Sequence, residues 1–384
     1  MQIRAKRIIP PVSPPSPEPS RSGFHTHHAD DALTWIRRSI TATGGKGSSH
    51  SYSPLWGWAA AYPETTGYLI PTLLHYAGLK KDEDLRRLAF GCADWLCTVQ
   101  LPSGAFPGLT AGHAHPSLFN TTQILFGFAK LDAEIMAEEK PAPSKIQALA
   151  WRESMIKAVQ WALSVLEPDG AWRQAAYVPG FVPSYYTRAV WGVLLAVRQL
   201  GQPDAEPLLR QALHFYDHRF LPNGAIRDWG FRPGQAAFTH TIAYTLEGFF
   251  ESALLLGEKE IVDRTILSAR ELMRRMRQSG RLAGRYDTQW NGDFSFRCLC
   301  GQAQLSLLFH RMYSLTGAEE FRNSAFDLLK DTLVFQKRSN NKNTHGALPG
   351  SAPFWGAYLR FRYPNWGAKF LLDALATVKP EGNF

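Results

Sequence analysis

The sequence predicts an all-α fold in which six helical hairpins close into an (α/α)6 toroid. Three observations predict it: six nearly apolar helical segments recur along the chain, six amphipathic segments alternate with them, and longer loops precede the apolar segments than follow them. The 384 residues are 45% hydrophobic, which is enough for one large core, and barrels of this length often form a single domain.

The apolar segments begin with polar or aromatic residues and continue as buried helices. Their first-turn polar residues follow one another at intervals of 57, 66, 53, 62 and 63 residues, and a step of roughly 60 residues accommodates two helices and two loops. Because a helix that is apolar on every face is buried, these six segments are predicted to form an inner ring. They lie at 62–78, 119–131, 185–201, 238–257, 298–317 and 363–378.

The amphipathic segments each carry a charged stripe, which predicts an outer ring. An open solenoid of helical hairpins is the main structural alternative to closure. The outer segments lie at about 29–42, 83–100, 145–166, 204–219, 259–277 and 319–336.

The loops indicate which end of the barrel is functional. Outer helices end in glycine-containing turns such as 101–108 and 167–174, since glycine adopts the left-handed conformation of a helix C-cap. Longer loops then lead to the next inner helix, whereas return connections such as 257–260 are short. Long loops on one face predict a functional mouth where the inner helices begin.

The N-terminal segment differs in composition from the rest of the chain. Pro and Ser dominate residues 10–22, so residues 1–28 are expected to form an extended or disordered arm and residues 29–384 the barrel. The N-terminus lacks the apolar stretch of a secretion signal, which favours a cytoplasmic location, and no apolar run is long enough to predict a membrane span.

Charge and cysteine content narrow the function. The formal net charge of +9 favours an anionic partner. There is no run of five Lys or Arg residues and no nucleic-acid-binding motif, so an anionic glycan is favoured over nucleic acid. Four cysteines without a matching Cys–His motif predict reduced thiols, with neither a metal site nor a cofactor. The oligomeric state is not predicted.

Four segments resemble bacterial proteins of the six-hairpin glycosidase-like superfamily, in the branch found near polysaccharide-biosynthesis genes. They are YPETTGY, ADWLCTVQ, THTIAY and YPNWGAKF. The resemblance covers about residues 30–378 and implies the toroid and a carbohydrate substrate, but not the reaction, because the superfamily includes hydrolases, lyases and epimerases. The chain departs from it at FNTTQ, residues 119–123, where Asn120 stands in place of the Asp of an F-D-T-G-Q-like segment.

Carboxylates at the mouth support a glycoside hydrolase acting on a bacterial, acidic polysaccharide or oligosaccharide. Glu64 opens the first inner helix and Asp287 lies in a mouth loop; they are the expected acid/base pair, with Arg188, His240 and Arg285 binding substrate. Glycosidases that retain the anomeric configuration place two carboxylates about 5 Å apart, and those that invert it place them roughly 6.5–9.5 Å apart. Because Glu64 and Asp287 would come from opposite sides of a wide mouth, inversion is favoured. The structural alternative for Glu64 is an acid that complements the helix dipole, and that for Asp287 is a turn residue that pairs with Arg285.

A second constellation supports an uronate lyase or C5-epimerase. Arg188 and Asn120 are expected to polarise a sugar carboxylate, while Tyr185 or His240 removes the proton at C5. The structural alternatives are a buried ion pair for Arg188 and a hydrogen-bonded core histidine for His240. A third hypothesis, which the Asn120 departure keeps open, is a non-catalytic glycan-binding component of a polysaccharide machine.

Further residues in mouth segments are candidates for substrate binding. Aromatic faces suit the C–H faces of sugar rings, although each tryptophan taken singly is more typical of a core. These candidates are Asp228, Gln302, Trp56, Trp172, Trp229, Trp290, Trp355 and Trp366.

Overall fold

Twelve α-helices alternate between an inner and an outer ring in the computed structural model, which describes residues 23–110, 112–113, 115–137 and 142–378. The inner helices are α2 (Pro63–Lys80), α4 (Leu118–Met136), α6 (Thr187–Gln199), α8 (Thr239–Leu256), α10 (Leu299–Thr316) and α12 (Asn365–Thr377). The outer helices are α1 (Gly23–Thr41), α3 (Glu83–Val99), α5 (Lys145–Ser164), α7 (Glu206–Asp217), α9 (Lys259–Gln278) and α11 (Glu319–Leu333).

The inner ring is closed. Each inner helix packs against the next one, and α12 returns to α2. At this junction the Tyr76 hydroxyl donates to the Leu372 carbonyl oxygen at 2.8 Å, and the Thr72 hydroxyl donates to Asp373 at 2.6 Å. The predicted all-α toroid is therefore confirmed, and the open solenoid is excluded.

Glycines allow neighbouring inner helices to approach to backbone contact. A Cβ added at Gly192 would lie 2.3 Å from the Thr122 carbonyl oxygen, and one added at Gly248 would lie 2.3 Å from the Arg188 backbone nitrogen. Only glycine fits such an approach, because any side chain would overlap the facing backbone. Equivalent contacts are made by Gly67, Gly127 and Gly301.

Short antiparallel ribbons, absent from the sequence prediction, line the mouth. They are β1 (Ser51–Ser53), β2 (Gly57–Trp58), β3 (Phe106–Pro107), β4 (Pro116–Ser117), β5 (Ala237–Phe238), β6 (Arg285–Tyr286), β7 (Gly292–Asp293), β8 (Arg297–Cys298), β9 (Ser351–Ala352) and β10 (Tyr363–Pro364). The strands β5, β8 and β10 each precede an inner helix and pair with a strand in the mouth loop of the following repeat: β6, β9 and β1. The ribbons therefore tie consecutive repeats together where the inner helices begin.

The first helix begins earlier than expected. Helix α1 starts at Gly23, so the last six residues of the predicted arm are helical, and residues 1–22 lie outside the described part of the chain. The indole N–H of Trp35 donates to the Asn343 carbonyl oxygen at 2.9 Å, which fixes α1 against the loop after α11. None of the described helices is long and apolar enough to cross a membrane.

Candidate active site

Glu64 lies in the first turn of α2, next to Pro63. Proline is preorganised for the first helical position, and an acidic side chain there complements the helix dipole. The Glu64 carboxylate accepts a hydrogen bond of 2.7 Å from the Tyr62 hydroxyl and is only 7% exposed. Burial raises the pKa of Glu64 to about 7, against the opposing effects of Tyr62 and Arg188. Glu64 can therefore hold or release a proton near neutral pH.

Arg188 of α6 is held by side chains of the neighbouring inner helices α4 and α8. Its guanidinium forms a buried ion pair with Glu247 and donates from Nε to Gln123 Oε1 at 2.8 Å. Its central carbon lies 4.7 Å from the ring centre of Tyr244 and 5.1 Å from that of Phe126. These contacts occupy the charge and the planar surface of the guanidinium, and they match the structural alternative of a buried ion pair.

His240 is a neutral, buried histidine. Its Nδ1 lies 2.5 Å from Gln304 Oε1, and with the amide oriented in this way the proton sits on Nδ1 and leaves a lone pair on Nε2. Burial lowers the pKa of His240 to about 3. The ring centre of Tyr244 lies 4.3 Å from that of His240, and the ring centre of Tyr358 lies 5.2 Å away.

Tyr185 belongs to an aromatic cluster between Glu64 and His240. The ring centre of Phe119 lies 5.0 Å from that of Tyr185 and 5.5 Å from that of Tyr244. Burial raises the pKa of Tyr185 well above its usual value, and the nearby Glu64 charge adds to the rise. Tyr185 is therefore a neutral phenol that can donate a hydrogen bond.

Two residues of this site, Tyr62 and His50, were missed by the sequence analysis. The His50 ring centre lies 5.1 Å from that of Tyr62 and 4.9 Å from that of Trp366, and its Nδ1 is 2.9 Å from Ser51 Oγ. Burial lowers the pKa of His50 to about 4. Tyr62 could have been predicted from the sequence, since it stands two residues before Glu64. His50 lies in a Gly/Ser-rich loop that carries no pattern.

The Asp287 carboxylate is bonded within its own mouth loop. The Asp287 carboxylate accepts hydrogen bonds of 2.8 Å from the backbone N–H groups of Gln289 and Asn291 and from the Asn291 amide. These bonds lower the pKa of Asp287 despite partial burial. The carboxylate therefore closes its own loop, as its structural alternative predicted, and shares no hydrogen-bond or ion-pair partner with Glu64 in the described residues.

Asp228 and Arg285 also have partners within the mouth loops. Asp228 lies 3.8 Å from the Arg219 guanidinium, and Arg285 pairs with Asp293 at 2.9 Å. Both pairs are partly exposed, so they hold loop conformation and add little stability.

Asn120 and Gln302, at the starts of α4 and α10, bind protein groups. The Asn120 amide donates to the Pro107 carbonyl oxygen at 2.8 Å, and the Gln302 amide donates to Asp331 at 2.7 Å. Asn120 therefore fastens the loop before α4.

Three of the predicted sugar-stacking tryptophans are core residues. Trp172 is fully buried and donates to the Ala162 carbonyl oxygen at 2.9 Å. Trp229 and Trp290 pack against each other with ring centres 5.2 Å apart, and both are almost completely buried. Each of the three has almost no exposed surface, and its role in sugar stacking stays a prediction.

Trp366 and Trp355 occupy different environments. Trp366 opens α12 inside the mouth, and its indole donates to the Tyr358 hydroxyl at 2.9 Å. Trp355 lies in the loop before β10 and is 64% exposed.

The site therefore combines one ionisable carboxyl group with neutral tyrosine and histidine rings. This set suits proton transfer to or from a bound sugar. No group of three His, Cys, Asp or Glu side chains that could share a metal ion occurs in the described part of the chain.

No family model and no curated protein matches the sequence, but solved structures share the fold. An unsaturated glucuronyl hydrolase specific for heparin superposes with a TM-score of 0.72 at 15% identity, covering 92% of this chain and 96% of that chain. The unsaturated glucuronyl hydrolase from Bacillus sp. GL1 superposes with a TM-score of 0.69 at 14% identity, covering 91% of this chain and 96% of that chain. Cellobiose 2-epimerase from Bacillus thermoamylovorans B4167 superposes with a TM-score of 0.67 at 10% identity, covering 92% of this chain and 99% of that chain. The chain thus has the six-hairpin glycosidase-like (α/α)6 fold, shared with carbohydrate-active hydrolases and epimerases.

Proposed function

We propose that this protein is a hydrolase acting on an acidic oligosaccharide or polysaccharide at the barrel mouth, with Glu64 as the general acid. The observation that carries the proposal is the environment of Glu64. It is a buried carboxyl group in the first turn of an inner helix, held by Tyr62, with a pKa raised to about 7. A general acid works best when its pKa lies near the working pH.

The second carboxylate expected from the sequence has no place in this proposal. Asp287 is bonded within its own loop, and Glu247 is paired with Arg188. A single acid/base group is sufficient when the sugar has a double bond beside its ring oxygen. Glu64 protonates the far carbon of such an enol ether, and water adds to the resulting oxocarbenium ion and returns a proton to the same carboxylate. The hemiketal formed in this way opens, and the hemiacetal left at the anomeric carbon collapses to an aldehyde and releases the rest of the chain as an alcohol. An unsaturated uronic acid at the end of an oligosaccharide is therefore the favoured substrate.

The aromatic surroundings of Glu64 support a sugar ligand. The rings of Tyr185, Phe119 and Trp366 lie at or just before the starts of three inner helices and are almost completely buried. A sugar that reaches them would meet aromatic faces that suit its C–H face. Tyr185 supplies a neutral hydroxyl close enough for the charge of Glu64 to affect its pKa.

Turnover of unsaturated and saturated uronic-acid oligosaccharides tests the proposal. Hydrolysis of an unsaturated sugar removes its ultraviolet absorbance, hydrolysis of a saturated one creates reducing ends without absorbance, and a lyase creates absorbance. Glu64→Gln is expected to lower kcat by about 100-fold or more. Asp287→Asn, the matched carboxylate control, is expected to leave kcat within about threefold. Full turnover by Glu64→Gln would contradict the proposal.

His240 favours an epimerase as the second candidate. Its Nδ1 is held by Gln304, so Nε2 carries the lone pair that a base needs. An epimerase would incorporate solvent deuterium into the recovered sugar and create no reducing ends. His240→Gln would abolish this exchange, whereas Asp287→Asn would retain it. Binding without any turnover would instead support the glycan-binding hypothesis.

A further inference from the structure

Two tryptophans on loops that flank the starts of α2 and α12 are unusually exposed. Trp56 lies in the turn between β1 and β2 and is 63% exposed, and Trp355 lies in the loop before β10 and is 64% exposed. Neighbouring Leu55 is 65% exposed. Grouped exposed aromatic residues are typical of binding surfaces. Their position contrasts with the buried Trp172, Trp229 and Trp290.

Arginines lie near these tryptophans. The Phe361 N–H donates to the Phe354 carbonyl oxygen at 3.0 Å and closes the turn that carries both Trp355 and Arg360. The Arg362 guanidinium carbon lies 5.0 Å from the ring centre of Trp56, and its Nη1 is 3.2 Å from Ser51 Oγ. Arg360 is exposed and makes no ion pair with a described carboxylate. We call Trp56, Trp355, Arg360 and Arg362 the rim patch.

The segments that carry the rim patch contain only positive charge. Residues 42–63 contain Lys46, and residues 337–364 contain three further basic residues besides Arg360 and Arg362; neither segment contains an Asp or a Glu. Asp31 of α1 pairs with Arg338 at 3.1 Å, whereas Arg360 and Arg362 form no ion pair with a described carboxylate. The charge over the patch is therefore positive, and an anionic ligand is favoured.

A series of contacts connects the rim patch to Glu64. Ser51 joins Arg362 to His50, because its Oγ lies 3.2 Å from Arg362 Nη1 and 2.9 Å from His50 Nδ1. The His50 ring packs on Tyr62, and Tyr62 donates to Glu64. His50 and Tyr62 thus stand between the patch and the carboxyl group, so one sugar ring does not contact both.

We propose that the rim patch is a subsite for a negatively charged sugar unit, with Trp56 or Trp355 stacking on the ring and Arg360 and Arg362 pairing with its acidic group. The substrate is then an anionic sugar chain of more than one unit, whose reacting end lies at Glu64. The position of that reacting end rests on the function proposed above, whereas the charge preference of the patch does not.

Affinity electrophoresis in native gels tests the subsite, with polygalacturonate as the anionic probe and dextran as the neutral control. The parent protein should be retarded by polygalacturonate and not by dextran, and added salt should weaken the retardation. The double variant Trp56→Ala and Trp355→Ala should raise the apparent Kd by about tenfold. Arg360→Gln alone should raise it by about threefold. Leu267→Ala, at a 59% exposed position on α9, should leave the Kd unchanged. Each variant should keep the parent's thermal unfolding midpoint, because the substituted side chains are exposed.

The outcomes separate this subsite from the proposed reaction. Equal retardation of parent and rim variants, retardation of the parent by neither polymer, or retention by anionic lipid vesicles without retention by polygalacturonate would each overturn the subsite. Glu64→Gln should retain polygalacturonate binding. If that variant also retains turnover while the rim variants lose binding, the proposed function fails and the subsite stands.

Discussion

A single buried carboxyl group dominates the chemistry available at the mouth. Glu64 lies where a helix dipole favours negative charge, yet burial has the larger effect and raises its pKa. The raised pKa also affects stability, whatever the substrate is. A carboxyl group that binds its proton more tightly in the folded protein makes the free energy of unfolding depend on pH.

Glu64→Gln should therefore change the pH dependence of stability. The pKa rises from 4.5 to about 7 on folding, so this group favours the folded state at low pH, and that contribution is lost as pH rises from 4.5 to 7. The loss is about 3 kcal/mol in the free energy of unfolding, and glutamine does not titrate. Urea unfolding at pH 5 and pH 8 should show the variant gaining stability relative to the parent at the higher pH. A difference that is the same at both pH values would show that Glu64 has an ordinary pKa.

Arg188 should be a stability residue. Arg188→Met removes one partner of a buried ion pair and leaves Glu247 without its counter-charge, which costs about 3–5 kcal/mol. Combining it with Glu247→Leu removes both charges and should recover much of this loss. Chemical denaturation of both single variants and the double variant measures the coupling. Losses that simply add would contradict the pairing.

At the scale of single residues, the sequence predicted where a side chain lies in the fold better than it predicted which groups that side chain binds. The Pro63–Glu64 pair predicted an acid at the start of an inner helix, and the structure places it there. The hydrogen bonds that hold Asp287 within its own loop depend on the path of that loop, which no local pattern encodes. Burial of Trp172 was equally hidden, because a tryptophan in a glycine turn can face either the core or solvent.

At the scale of elements, glycines set the distance between inner helices. Gly192→Ala should destabilise the protein, because the new Cβ would lie 2.3 Å from the Thr122 carbonyl oxygen and α4 and α6 would have to separate. A loss of about 2 kcal/mol is typical of forced repacking.

Gly91 provides the matched control for this prediction. It lies within α3, and a Cβ there would meet nothing within 4 Å, so Gly91→Ala should stabilise the protein by about 0.5–1 kcal/mol through helix propensity. Thermal unfolding of the two variants should therefore shift in opposite directions. Equal shifts would show that the close approach of α4 and α6 does not depend on glycine.

The same elements show why helices were predictable and ribbons were not. Helix α9 was expected at 259–277 and spans Lys259–Gln278, since twenty residues of amphipathic periodicity give a strong signal. The strands β5 and β6 have two residues each, which is too short for an alternating pattern. Their pairing is a product of the ring, because closure brings the two loops side by side.

At the scale of the whole molecule, closure couples distant helices. In an open solenoid each hairpin depends mainly on its neighbours, so a defect at one end loosens that end first. In a ring, α12 is bonded both to α10 and back to α2, so no inner helix is terminal. Opening any junction exposes two inner helix faces, and the structure should unfold as one cooperative unit.

Tyr76→Phe tests this coupling at the junction between α2 and α12. The substitution deletes the hydroxyl that donates to the Leu372 carbonyl oxygen at 2.8 Å and should cost about 1 kcal/mol, because one buried hydrogen bond between the two helices is lost. In native-state hydrogen exchange, the slowest amides of α6 and α8, across the ring from the substitution, should lose the same free energy of protection as those of α12. Leu267→Ala, on the exposed face of α9, should change neither set. Lower protection confined to α12 and α2, with α6 and α8 unchanged, would mean that the ring opens locally and that its closure contributes no global cooperativity.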